Sequence, residues 1–171
     1  NEKTLYFKYN KCQEDDDCKT IEDFTTEMIK FMDTHAIDKF VIDIRDNSGG
    51  SDKYINPIID WIKDKKLNNK NHLFVIVGRN TFSSAIINAV TLKKETNATF
   101  VGEETSGKPN HYGSVKSFIL PNSRIQIQYS TQFNKTSTDN SSTFTPDKII
   151  EISIVDYLNK KDPVLNYILK N

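Results

Sequence analysis

LFVIVGRNTFSSA, residues 73–85, decides the fold. Leu73 to Val77 is a fully apolar run of strand length, as expected of a strand covered on both faces in a parallel sheet. The G-R-N-T-F-S-S segment that follows is a turn ending in helix-starting residues, and Ala85 to Leu92 continues as an apolar helix. A strand that passes so abruptly into a helix is the repeating unit of an α/β architecture.

Working outward, the same unit occurs twice upstream. Leu5 to Tyr9 alternates as a strand, and Thr20 to Met32 follows as a helix, with Thr20 as N-cap, Asp23 as its acidic partner, and Ile21, Phe24, Met28, Ile29 and Phe31 at helical spacing. Phe40 to Ile44 is a short apolar strand running into R-D-N-S-G-G, after which Tyr54, Ile55, Ile58, Ile59 and Ile62 repeat on a helix face. Downstream, Thr99 to Gly102 reads as a fourth strand leading into E-E-T-S-G-K-P-N-H-Y-G, where Pro109 opposes regular structure. Ser114 to Leu120 and Arg124 to Tyr129 alternate as a hairpin about a Pro-Asn-Ser turn, and the Ser/Thr/Asn-rich stretch from Thr131 to Ser142 reads as a loop. Two short helices close the chain, Val155 to Leu158 and, with Pro163 in its first turn, Val164 to Leu169. The length of 171 residues suits one domain, and there is neither an internal repeat nor a linker.

Composition excludes several function classes. Lysine plus arginine equals aspartate plus glutamate at 23 each, and no stretch interleaves basic with aromatic residues, so nucleic acid is not an expected partner. No apolar run is long enough to cross a bilayer, and the chain opens on Asn1 without a signal-like pattern. Cys12 and Cys18 flank an acidic loop and are equally consistent with a small disulfide or with two separate thiols; their spacing matches no zinc or thioredoxin motif.

The six glycines all fall between Gly49 and Gly113, the others being Gly50, Gly78, Gly102 and Gly107. Three loops, after Ile44, Val77 and Gly102, therefore hold the groups expected to work, and strand adjacency should set them side by side. Ser83, where strand passes into helix, is the candidate nucleophile; the Ser84 N–H and the glycine pair Gly49-Gly50 are the candidate donors to an oxyanion. Lys108 is the candidate base, which requires burial to lower its pKa, and His111 competes with it because an imidazole already titrates near neutrality. Simpler readings stand beside these: a serine before a helix commonly serves as an N-cap, and a lysine in a glycine loop is commonly solvated. His35 and His72 read as surface or capping residues.

V-I-D-I-R-D-N-S-G-G, V-G-R-N-T-F-S-S-A and V-G-E-E-T-S-G-K-P-N, in this order, resemble the C-terminal processing (tail-specific) protease family of serine peptidases. The closing T-P-D-K-I-I-E-I-S-I-V-D-Y-L-N-K-K-D-P-V-L resembles that family's P-D, D-x-L and D-P-x-L pattern, so the likeness covers Phe40 to Leu169. The resemblance implies a crotonase-like, Clp-protease-like core of repeated ββα units, a single serine-protease-like domain over residues 1–171, cut from a longer precursor or standing alone. It implies a serine endopeptidase that needs neither metal nor organic cofactor, acts on extended polypeptides near their C-termini, and resides in the cell envelope or outside the cell. Ser83, two positions after Thr81, takes the nucleophile's place, and Lys108 follows at the family's interval of 25 residues. Two departures stand out. Tyr112 occupies the position four after the lysine where the family has an orienting glutamine or glutamate, and the family's PDZ domain is not in this sequence. A histidine serves as base in tricorn-type relatives, which points to His111 or to a residue outside this chain. The rival expectations are a non-catalytic peptide- or ligand-binding module on the same core and a crotonase-like acyl-CoA enzyme, the latter lacking a basic patch for nucleotide phosphates.

Overall fold

The computed structural model describes residues 3–14 and 19–171. Single strands alternate with helices along the first hundred residues: β1 (Thr4–Lys8), α1 (Ile21–Thr34), β2 (Lys39–Asp43), a 3-10 turn (Asp52–Ile55) leading into α2 (Asn56–Lys63), β3 (Leu73–Val77), α3 (Ser84–Glu95) and β4 (Thr99–Gly102). The hairpin β5 (His111–Ile119) and β6 (Gln126–Asn134) follows, then β7 (Lys148–Ile149), α4 (Ile154–Leu158) and α5 (Pro163–Lys170). Strands β1-β2-β3-β4-β7 form one five-stranded sheet, parallel throughout. The α/β expectation holds at this level.

Alternation along the central strands assigns each side chain to one of two apolar layers. Phe40, Ile42, Leu73, Val75, Val77 and Phe100 enter the layer that receives Met28 and Met32 of α1, Ile58, Ile59 and Ile62 of α2, and Ala85, Ala89 and Leu92 of α3. Val41, Phe74, Ile76 and Val101 point the other way, onto Val164 and Ile168 of α5. Every residue of β3 is buried, as its unbroken apolar run requires.

Helix ends follow their sequence signals. Thr20 Oγ1 accepts the Asp23 N–H at 3.1 Å, as read from the chain, and Asp162 Oδ1 accepts the Leu165 N–H at 2.9 Å with Pro163 in the first turn of α5. Three readings need correction. β5 begins at His111, so that His111, Tyr112 and Gly113, expected in the loop, pair with Asn134, Phe133 and Gln132. β6 runs to Asn134, into residues expected to be loop, because both faces of this ribbon are largely solvated and polar Thr131 and Gln132 are no obstacle to pairing there. β7 was not foreseen; its two residues pair with Val101 and Gly102 at the sheet edge.

Candidate active site

Because β2, β3 and β4 are neighbours in one parallel sheet, the loops leaving their carboxyl ends are neighbours too. Ser83 ends the loop after β3. Its φ of 54° and ψ of −125° place it outside the regions a side chain prefers, and such strain persists only where the surroundings over-determine it. Two anchors do so. Thr81 is buried, its hydroxyl accepting the Gly78 N–H at 3.0 Å and donating to Ile44 O at 2.9 Å, so the turn is fastened to the end of β2. The Phe82 N–H donates to Asn47 O at 3.0 Å, fastening it again to the glycine loop.

Ser83 occupies the N-cap position of α3 yet makes no side-chain capping bond. The capping reading therefore fails at this serine: Ser83 is half-buried, and its hydroxyl makes no hydrogen bond among the described residues at the positive end of a helix. Ser84, by contrast, is buried and its hydroxyl donates to Gly50 O at 2.6 Å. That bond draws the glycine pair against the helix start. A Cβ at Gly49 would lie 2.8 Å from Ser83 Cβ and 3.2 Å from Ser83 Oγ, and one at Gly50 would stand 2.0 Å from Cys12 O, so neither position has room for a side chain. Their φ values of 107° and 134° forbid one independently.

The two glycines differ in what their amides do. The Gly49 N–H donates to Asn47 Oδ1 at 2.9 Å and is thereby committed. Among the described residues, the N–H groups of Gly50 and Ser84 donate to no protein atom. Those two amides lie on either side of the Ser83 turn, one in the glycine loop and one at the start of the helix.

Asn47 is the residue that sequence reading passed over. Fully buried, it donates from Nδ2 to Tyr9 O at 2.9 Å, accepts the Gly49 N–H and the Cys12 thiol at Oδ1, and accepts Phe82 N–H at its carbonyl. One side chain and its backbone thus tie β1, the glycine loop and the serine turn together. Cys12 Sγ also accepts from Asn88 Nδ2 of α3 at 3.3 Å, and burial pushes its thiol pKa upward. The alternative of a Cys12 bridge to Cys18 concerns a residue outside those described. Elsewhere at the end of β2, Arg45 Nε meets Asp43 Oδ1 and Oδ2 at 3.1 and 2.9 Å, its terminal nitrogen reaches Asp162 at 2.8 Å, and Tyr6 donates to Asp43. The D-I-R-D stretch is thus a clamp between the sheet and the start of α5.

The loop after β4 is built less firmly. Gly107 packs against the serine turn, where a Cβ would lie 2.9 Å from the Phe82 ring and 2.7 Å from Ile86 Cδ1. Lys108, the next residue, is exposed in this chain, so the burial its role as base requires is not supplied by the described residues. His111 Nδ1 lies 2.9 Å from Lys108 O and 3.1 Å from Pro109 O, both acceptors, so Nδ1 is the donor to these carbonyls. Nε2 is buried with no partner among the described residues. Tyr112 is exposed, and its ring packs at a tilt against Phe133 with centroids 4.9 Å apart, within the hairpin. Among the described residues no group of three histidine, cysteine or acidic side chains is set to hold a metal, and no helix is long and apolar enough to cross a membrane.

No family model and no curated protein matches the chain. Solved structures do. A candidate peptidase from Parabacteroides merdae matches with a TM-score of 0.70 at 15% identity, over 99% of this chain and 61% of its own. A candidate S41 protease from Bacteroides fragilis matches with a TM-score of 0.63 at 17% identity, over 98% of this chain and 53% of its own. The fold is the S41 protease fold. The photosystem II D1 C-terminal processing protease shares it, with a TM-score of 0.53 at 15% identity, over 86% of this chain and 42% of its own. At these identities the likeness is one of architecture, and the chain spans only 61% and 53% of the first two S41-fold structures.

Proposed function

We propose that this chain is the core of a serine endopeptidase of the tail-specific family, a single domain in the crotonase-like, Clp-protease-like class, acting on extended polypeptides near their C-termini in the cell envelope or outside the cell. The observation that carries the proposal is the strained, uncapped Ser83 beside the two uncommitted amides of Gly50 and Ser84. Ser83 Oγ attacks the scissile carbonyl carbon while its proton passes to the base. The carbonyl oxygen, now an anion, is held by the Gly50 and Ser84 N–H groups at the helix start. Collapse of the tetrahedral intermediate expels the amine, which takes the proton, and water then hydrolyses the acyl-enzyme. Lys108 is the base by its interval from Ser83; His111, whose Nε2 has no partner among the described residues, or a residue outside this chain, is the alternative.

A second reading, a non-catalytic polypeptide-binding module, is favoured by the exposure of Lys108 and by Tyr112 in the orienting position. Incubation with a denatured protein substrate separates the two. Cleavage that disappears in Ser83→Ala, with the variant's circular dichroism unchanged, supports the peptidase; equal cleavage by the variant removes Ser83 from the chemistry, and binding without cleavage by the natural chain favours the module.

A further inference from the structure

The five-stranded sheet ends in two unlike edges. β7 is two residues long, and so short an edge offers little to pair with. β1 is a full five-residue strand with neither proline nor bulge. The bond from Tyr9 N–H to Asp43 O and that from Lys39 N–H to Lys3 O fix its phase, so Leu5 and Phe7 turn their backbone groups toward β2. Thr4, Tyr6 and Lys8 therefore turn theirs outward, and among the described residues those N–H and C=O groups meet no partner. They are spaced two residues apart along an edge about 17 Å long.

Apolar surface borders this edge on the side of α1. Leu5, Phe7, Phe24, Met28 and Phe31 line an open groove of about 280 Å³. The Phe24 ring stacks on Phe7 with centroids 5.7 Å apart, yet Phe24 is 44% exposed and Phe31 45%. Glu27, in the same groove, is engaged by Lys19 at 2.6 Å. On the opposite face of the strand Tyr6 is 39% exposed, its hydroxyl held by Asp43. In a strand laid beside β1, alternate side chains would enter the groove and the others would lie beside Tyr6.

We propose that β1 is a docking edge for an extended segment of a polypeptide substrate, which adds to the sheet as a sixth strand. The hydrogen-bonding pattern selects the kind of partner. Outward N–H and C=O groups at strand spacing are matched by another extended backbone, not by a helix, whose own groups are spent internally. Position selects the substrate. Beyond β1 the chain reaches Cys12, which pairs with Gly50, and the adjoining Gly49 packs against Ser83, so a segment bound on this edge leads toward the candidate nucleophile. The groove on the α1 side favours segments with apolar residues at every second position. Naming a substrate as the partner rests on the peptidase reading, whereas the docking itself uses none of Ser83, Gly50, Ser84, Lys108 or His111.

Fluorescence anisotropy tests it, with a labelled peptide in which valine alternates with threonine and lysine, added to the Ser83→Ala chain so that the peptide stays intact. Two further peptides carry N-methyl groups, one on the valine amides and the other on the intervening amides. Only one set of amides can face β1, so one methylated peptide should bind like the parent and the other at least about tenfold more weakly. Tyr6→Pro removes an outward N–H and no bond to β2, and should weaken the parent peptide about tenfold, whereas Tyr6→Val, which keeps the N–H, should not. Circular dichroism melts show whether the proline variant folds; if it does not, Phe24→Ser in the groove takes its place with the same expected loss. No binding, equal weakening of the two methylated peptides, or a chain that pairs with its own copy through this edge and excludes the peptide would each overturn the docking. Cleavage of a denatured protein by the natural chain is scored separately: binding without cleavage overturns the peptidase reading alone, and cleavage without binding overturns the docking alone.

Discussion

The loop between β3 and α3 and the loop between β4 and β5 carry the two groups that a serine-lysine mechanism pairs, and they are held very differently. Ser83 is fixed through Thr81 to Ile44 at the end of β2, through Phe82 to Asn47, and through Ser84 to Gly50, so its backbone strain is sustained at three points of the segment that follows β2. Lys108 follows Gly107, which packs on the serine turn, and is itself exposed to solvent, and the hairpin that begins three residues later is exposed along both faces. The placement of Ser83 and the amides around it is a consequence of the parallel sheet. Lys108 lies on a surface that the sheet does not itself enclose, so if Lys108 is the base, its desolvation must come from bound substrate or from another polypeptide surface.

The largest effect that would break this comparison lies in the loosely held half. If Lys108 takes the proton, Lys108→Ala lowers the rate of peptide cleavage by about 10²–10⁴-fold while His111→Ala leaves most of it; the reverse ranking in parallel rate measurements transfers the base to His111. In the firmly held half, Asn47→Ala should lower kcat by about 10²-fold, because the glycine loop loses its tether while no group near the substrate is removed. An unchanged kcat with lowered melting temperature would make Asn47 a stability residue only. Stability sharpens the contrast further: Ile76→Ala, in the fully buried β3, should cost about 2–5 kcal/mol by urea titration of the dilute chain, whereas Phe118→Ser in the hairpin should stay within about 0.5 kcal/mol. Equal losses would mean that the hairpin belongs to the core. Smallest of all, the Cys12 thiol, held protonated by burial, should resist alkylation at neutral pH until the chain unfolds, and mass mapping of early modification at Cys12 would show the Asn47–Cys12–Asn88 cluster to be open.

Local chemistry made much of this legible. The apolar run of β3, the cap at Thr20 and Pro163 in the first turn of α5 are decided by residues within a few positions of each other, and their reading survives in the structure. Adjacency of the three loops follows from parallel topology alone. Less visible were features set by distant parts of the chain. Asn47 reads as an ordinary turn residue until β1 and the serine turn close around it, and the commitment of the Gly49 amide depends on that same side chain. Exposure at Lys108 is likewise a property of what packs nearby. The extension of β6 through Asn134 escaped notice because a ribbon solvated on both sides leaves no hydrophobic alternation to read at its polar end.

The most direct test of the account is treatment of the folded chain with a fluorophosphonate probe, followed by peptide mass mapping. The account predicts an adduct on Ser83 and none on its neighbour Ser84, whose hydroxyl is committed to Gly50 O. A chain left unmodified, or modified at another serine with Ser83 intact, would contradict it.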